Sequence, residues 1–296
     1  MTYILWIIGS TVLFSFQYLF KKLFQRQEGS SFVISMQSSL ISAIFAILLL
    51  ILRGKSAFEF SLFSFALALL HGGRAILTGF VSFKVLEKAN ISVFSLFSQI
   101  GGMLLPFLYA IILGGEQLTW QKTVCVVLLC LAMYWEMHGR QKSSAVKGEK
   151  KDYAIFWYMG VFVLNGLSGV FAKIHQSAPD HLTVSASAFT MMEKIVVLIA
   201  SSILVLIFAR RKQLVKMKKP VLAISYMGIQ SILNTLGNLI LLMALLHVDA
   251  SIQYPIVTGG IIILSLFMDP LLGTKPKKHT VIAAIISFVG LAFLAI

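Results

Sequence analysis

Apolar residues fill this chain in ten runs, each close to the roughly 20 residues that an α-helix needs to cross a bilayer core. The runs are 2–20, 31–52, 58–83, 90–114, 119–137, 153–173, 182–209, 221–246, 250–272 and 280–296. Polar residues gather in the short breaks between them, and no break is long enough to hold a soluble domain. The one linker of note, 139–152, is rich in Lys, Ser and Gly and falls near the midpoint. The pattern predicts an all-α polytopic membrane protein of ten transmembrane helices. Residues 1–138 form a first five-helix repeat, 139–152 a polar basic linker, and 153–296 a second five-helix repeat.

The word "repeat" rests on two internal alignments. Gly101, Gly102 and Gly115 reappear 158 residues later as Gly259, Gly260 and Gly273, so each half ends in a helical hairpin with paired glycines in its first arm. Shifting 5–25 by 151 residues matches Trp6 to Trp157, Gly9 to Gly160, Val12 to Val163, Leu13 to Leu164, Phe20 to Phe171, Lys22 to Lys173 and Gln25 to Gln176. An odd number of spans per half inverts the second repeat relative to the first.

Charge tests the inversion independently. Connections after the odd-numbered spans hold 19 Lys and Arg, and those after the even-numbered spans hold 4. Basic loops stay in the cytoplasm, so the count predicts cytoplasmic odd connections and both termini outside.

Composition agrees with this class. The chain is 58% hydrophobic and 12% charged, with mean hydropathy +0.90, far more apolar than a soluble domain requires. A net charge of +14 would suggest nucleic acid in a soluble protein. Here the basic residues crowd into short loops, where they meet anionic headgroups, so no nucleic-acid partner is expected. Cys125 and Cys130 sit in one apolar run and read as small core residues, not as a disulfide or metal pair. The first run lacks a basic leader and a small-residue cleavage site, and is read as a retained span.

On these residues the chain resembles the EamA-type branch of the drug/metabolite transporter superfamily. Those proteins have two five-helix repeats, each ending in a helix pair joined by a turn with a Gly-Glu-x-Leu-like motif. Gly115-Glu116-Gln117-Leu118-Thr119 matches that turn, whereas Gly273-Thr274-Lys275-Pro276 lacks the acid. Trp6 and Gly9 resemble the Trp/Gly pairing early in the family's first helix. Many relatives are drawn with cytoplasmic termini, and the Lys/Arg count here argues the opposite. The small multidrug-resistance relatives carry a Glu in their first helix; neither the first nor the sixth span here holds an acid.

Charges inside hydrocarbon cost several kcal/mol, so each needs a partner or a wet cavity. His71, Arg74, Thr78 and Ser82 lie at helical spacing on one face of the third span, and Gln230, Asn234 and Asn238 on one face of the eighth. A shift of 160 residues carries Arg74 onto Asn234 and Thr78 onto Asn238. Arg74 could receive a carboxylate or phosphate through its two-pronged guanidinium, or it could pair with Glu193. The asparagines could contact substrate or bind helix to helix. Gln99 and Tyr254 are further cavity-lining candidates. Glu193 is expected to be the single deeply placed acid, with a structural or coupling role. Its neighbour Lys194 is expected to point about 100° away from it, and Asp269 to reach the interface. Glu116 is assigned to ordering the turn, with Thr119 capping the next helix.

These observations predict a secondary transporter of a small polar metabolite, an amino acid or another anionic or zwitterionic compound. It would work by alternating access across the cytoplasmic membrane, with export the expected direction. The rival classes are an integral-membrane enzyme and a structural or channel protein. The histidines show no zincin-type spacing and no Walker A sequence occurs, so neither enzyme chemistry, nor a metal, nor a cofactor is expected. The expected partners are the substrate and the bilayer, with a homodimer left open.

Overall fold

The computed structural model describes residues 2–27, 32–52, 54, 59–88, 91–113, 119–146, 154–210, 219–245, 247–248 and 250–293. Among them the chain forms α1 Thr2–Gln25, α2 Phe32–Met36, α3 Ser38–Leu52, α4 Leu62–Lys88, α5 Ile91–Ile112 and α6 Trp120–Val146. There follow α7 Ala154–Ser177, α8 Ala186–Arg210, α9 Pro220–Leu245, α10 Ala250–Leu271 and α11 Lys278–Ala292, with no strand among the described residues. Among the described residues, seven helical segments are long and apolar enough to cross a membrane: α1, α2 with α3, α4, α5, α7, α8 and α9. The chain is an all-α polytopic membrane protein.

The side chains are sorted as a lipid solvent requires. On α3, Leu40, Ile44, Leu48 and Leu52 are exposed at steps of four, while Ser39, Ala43, Ala46 and Leu50 are buried. On α8, Ile199, Ile203 and Leu206 face outward and Glu193, Lys194 and Ser201 are buried. Such apolar stripes need hydrocarbon around them, and helices keep their backbone hydrogen bonds internal.

Two boundaries differ from the apolar runs. The second run breaks for one residue at Gln37, between α2 and α3. There Ser35 Oγ donates to the Phe32 carbonyl at 2.6 Å and Ser38 Oγ to the Ser35 carbonyl at 2.7 Å, which draws acceptors from the ladder. At the midpoint α6 continues through Val146, well past the start of the polar stretch at Gly139. Pro106 lies inside α5 without ending it.

The helices form two compact units, Met1–Phe83 with Phe171–His247 and Lys84–Val170 with Val248–Ile296. Each unit draws on both halves of the chain, so packing follows a different division from the repeat. In the first unit, Leu50, Leu67, Ala68, Val184, Ala188, Phe189 and Met192 form one buried cluster, and Phe24, Ile34, Phe83, Ala223 and Met227 another.

The second unit packs closely at glycines. A Cβ on Gly101 would fall against the backbone carbonyl of Phe162 in α7, and one on Gly166 would lie 2.6 Å from the Gly101 carbonyl. Asn165 Nδ2 donates to the Ser98 carbonyl at 2.6 Å beside this contact. The paired glycines of α5 therefore serve close helix approach. In the same unit, Asp269, near the end of α10, is fully buried against the protein. Its carboxylate accepts the N–H groups of Ile91 at 3.0 Å and Ser92 at 3.4 Å, and the Ser92 hydroxyl, at the start of α5. The side chain takes this position because free N–H groups at a helix N-terminus attract an anion.

Candidate functional site: a polar cluster in the first unit

Four helices of the first unit bring ionic and amide side chains together, and close approach decides where. On α9, Gly237 leaves room for Phe14 of α1, whose ring a Cβ would meet at 3.1 Å. Three residues away along both helices, Asn234 Nδ2 donates to Gln17 Oε1 at 3.1 Å. These pairs advance in opposite directions, so α1 and α9 run antiparallel. Gln17 is buried, which makes the amide–amide bond valuable to a helix whose other large side chains are mostly apolar.

A second close contact joins α4 to α8. A Cβ on Gly72 would lie 2.7 Å from Val196 Cγ1, so only a glycine lets the helices meet without displacement there. Beside it, His71 Nδ1 stands 3.2 Å from Glu193 Oε1, both side chains buried. The imidazole is walled by Phe171 and Phe189 in edge-to-face contact.

Lys194 corrects a reading made from helical geometry. Its Nζ lies 3.3 Å from Glu193 Oε1 and also donates to Asn234 Oδ1 at 3.3 Å. Adjacent Cβ atoms do diverge by about 100°, but the flexible four-carbon stem of Lys carries its head group back around the helix. The polar contacts therefore run without a gap from His71 through Glu193, Lys194 and Asn234 to Gln17.

Arg74 lies one turn beyond His71 on α4 and Asn238 one turn beyond Asn234 on α9; the two helices run antiparallel, so these residues lie to opposite sides of the chain. Arg74 Nη1 donates to Thr78 Oγ1 at 3.2 Å, and that hydroxyl donates to the Arg74 carbonyl at 2.9 Å, so Thr78 orients the guanidinium. Asn238 Nδ2 donates to the Asn234 carbonyl at 2.8 Å. Arg74, Thr78, Gln230, Asn234 and Asn238 are half-buried, whereas His71, Glu193, Lys194 and Gln17 are buried. The cluster thus has a buried ionic centre with half-buried polar side chains around it.

Its charge is unbalanced. Arg74 and Lys194 set two basic groups against the carboxylate of Glu193, which also acts electrostatically on Arg74. The next acid on these helices, Glu87 near the end of α4, pairs with Lys84 instead. Together Arg74, Lys194 and Glu193 carry one net positive charge. An excess charge in a low-dielectric interior is costly unless a counter-charge or water reaches it, so the arrangement favours a ligand with a negative group.

No family model matches the chain, and no curated protein matches it. A solved structure described as "Crystal structure of protein" superposes with a TM-score of 0.63 at 14% sequence identity, over 99% of this chain and 96% of that one. The likeness concerns the fold alone.

Of the residues singled out from the sequence, His71, Arg74, Thr78, Asn234 and Asn238 belong to the cluster, with Gln230 one turn from Asn234 on α9. Gln99 and Tyr254 lie on α5 and α10, in the second unit. Glu116 lies outside the described residues. Thr119 caps α6 as its position suggests, accepting the Lys122 N–H at 3.4 Å. Glu193 shares its burial inside the protein with two other acids, Glu136 and Asp269, both near the ends of their apolar runs. Glu136 of α6 stands 3.6 Å from His279 Nε2 of α11, a partner that its place near the end of an apolar run did not reveal. Sequence reasoning passed over Gln17, although a lone long amide in a largely apolar span is itself a signal. Among the described residues, no group of three or more His, Cys, Asp or Glu is placed to hold a metal ion.

Proposed function

We propose that this chain is a secondary transporter of the EamA type within the drug/metabolite transporter superfamily, with ten transmembrane helices in two inverted five-helix repeats. It carries a small polar metabolite bearing a negative group, an amino acid or another anionic or zwitterionic compound. Transport runs by alternating access across the cytoplasmic membrane, in the export direction. The observation that carries this reading is the net-positive, largely buried cluster of Arg74, Lys194, Glu193, Asn234 and Gln17, set away from the ends of mostly apolar helices. The 19-to-4 asymmetry of basic loops and the matched glycines of the two halves support the inverted repeat. Arg74 holds the negative group of the substrate, with Asn234 and Asn238 on the facing helix.

Uptake of labelled amino acids and small anionic metabolites into liposomes containing the purified protein tests this directly. Arg74→Lys keeps the charge but loses the fork, and weakens binding of the transported compound without loss of folding. Arg74→Ala weakens it by about 2 kcal/mol or more. If Arg74 were instead a structural partner of Glu193, Arg74→Ala would destabilise the protein and Arg74→Ala with Glu193→Ala would restore it. A rescued, transport-competent double variant would remove Arg74 from the site.

A further inference from the structure

The Glu193 carboxylate is buried beside the half-buried Arg74 and Asn234, its Oε1 within 3.2 Å of His71 and 3.3 Å of Lys194. A group so placed has little access to a ligand of its own. Its position nevertheless subtracts one charge from every ligand's electrostatic environment, because buried charges are poorly screened. Lys194 adds one back from the same point, its ammonium also donating to Asn234 Oδ1 of a half-buried side chain. Arg74 supplies the remaining positive charge at the half-buried face.

From this geometry we infer that Glu193 is the charge selector of the site: it holds the net charge at +1 and so restricts the ligand to compounds with a single net negative charge. The inference rests on the anion-binding reading proposed above. A dianion would leave one negative charge uncompensated in the interior, and a zwitterion one positive charge. Discrimination by an uncompensated charge is stronger than discrimination by shape. His71 Nδ1 approaches the same carboxylate oxygen as Lys194 and helps keep it in place. The rule is general: the preferred ligand charge is the negative of the net charge of Arg74, Lys194 and Glu193.

Three ligands of equal carbon number isolate charge from size: alanine as zwitterion, lactate as monoanion and malonate as dianion. Their binding is measured on the full chain in lipid nanodiscs, for the wild type and for Glu193→Gln, Lys194→Gln and the double variant. The wild type prefers lactate. Glu193→Gln moves the lactate-to-malonate preference toward malonate by at least roughly tenfold, the scale of one unscreened charge at contact distance. Lys194→Gln moves the preference toward alanine by a similar factor, and the double variant returns it to lactate. Each single variant decides the matter independently, so failure of one to fold leaves the other. If neither folds, a double variant whose preference departs from lactate overturns the rule. An order of preference unchanged in Glu193→Gln or in Lys194→Gln also overturns it, even when binding still depends on Arg74. Binding of none of the three ligands to the wild type, or binding indifferent to Arg74→Ala, overturns the anion site itself.

Discussion

Asp269, near the end of α10, accepts the backbone N–H of Ile91 in the first turn of α5, 3.0 Å away. An acid 178 residues along the chain thus does the work usually given to a local cap. Its other oxygen takes the Ser92 N–H and hydroxyl, and a turn further along Ser95 and Ser265 pair through their hydroxyls. The two helices run antiparallel along this seam, and the carboxylate also meets the positive end of the α5 dipole.

Removal of that side chain should therefore loosen the second unit without touching the polar cluster of the first. Asp269→Ala is expected to cost about 2 kcal/mol, since it leaves buried donors unsatisfied. Asp269→Asn, which keeps an acceptor but loses the charge, should cost less. Thermal unfolding in detergent, followed by tryptophan fluorescence, ranks the variants. Equal midpoints for wild type and Asp269→Ala would show that the cap contributes nothing.

Glycines offer a sharper contrast because two of them face opposite circumstances. A Cβ on Gly101 would strike the backbone of Phe162, which cannot rotate away, whereas a Cβ on Gly9 meets nothing within 4 Å. Gly101→Ala is expected to destabilise by roughly 1–3 kcal/mol through overpacking. Gly9→Ala should be neutral or stabilise by up to about 1 kcal/mol through helix propensity. The two variants compared in one thermal-shift series test the α5–α7 contact, and a tolerated Gly101→Ala would refute it.

Orientation is open to a direct measurement. The basic-loop count places the connection after the ninth span, which holds Lys275, in the cytoplasm, and the one after the sixth, which holds His181, outside. Both positions are exposed and suit single-cysteine labelling once Cys125 and Cys130 are replaced. A membrane-impermeant maleimide added to intact cells should label cysteine at 181 and leave cysteine at 275 unlabelled. The reverse result would invert the topology, and labelling of both would break the span count.

Much of the fold was legible because a bilayer imposes a simple rule on the chain. Runs of apolar residues longer than the hydrocarbon is thick must become helices, and the helices α1, α4, α7, α8 and α9 follow those runs closely. Breaks inside them were not legible, since the one at Gln37 comes from hydroxyls of Ser35 and Ser38 competing with the backbone, an effect of a few atoms that hydropathy averages away. The Arg74, Thr78, Asn234 and Asn238 faces were legible for a similar reason: helical spacing fixes which residues share a side.

What the tertiary structure alone decided was the set of partners. Helical spacing says where a Cβ starts and nothing about where a long side chain ends, so Lys194 was set apart from Glu193 although its ammonium lies 3.3 Å from the carboxylate. Gln17 and Asn234 are 217 residues apart, and only the gap left by Gly237 for Phe14 brings their amides within 3.1 Å. Asp269 turns inward because the first turn of α5 lies beside it, not because of any neighbour in sequence. The sequence by itself determined that charged and amide groups would be buried in these helices. Which of them neutralise one another depends on interhelical distances of a few ångströms, and those arise only when the glycine contacts close.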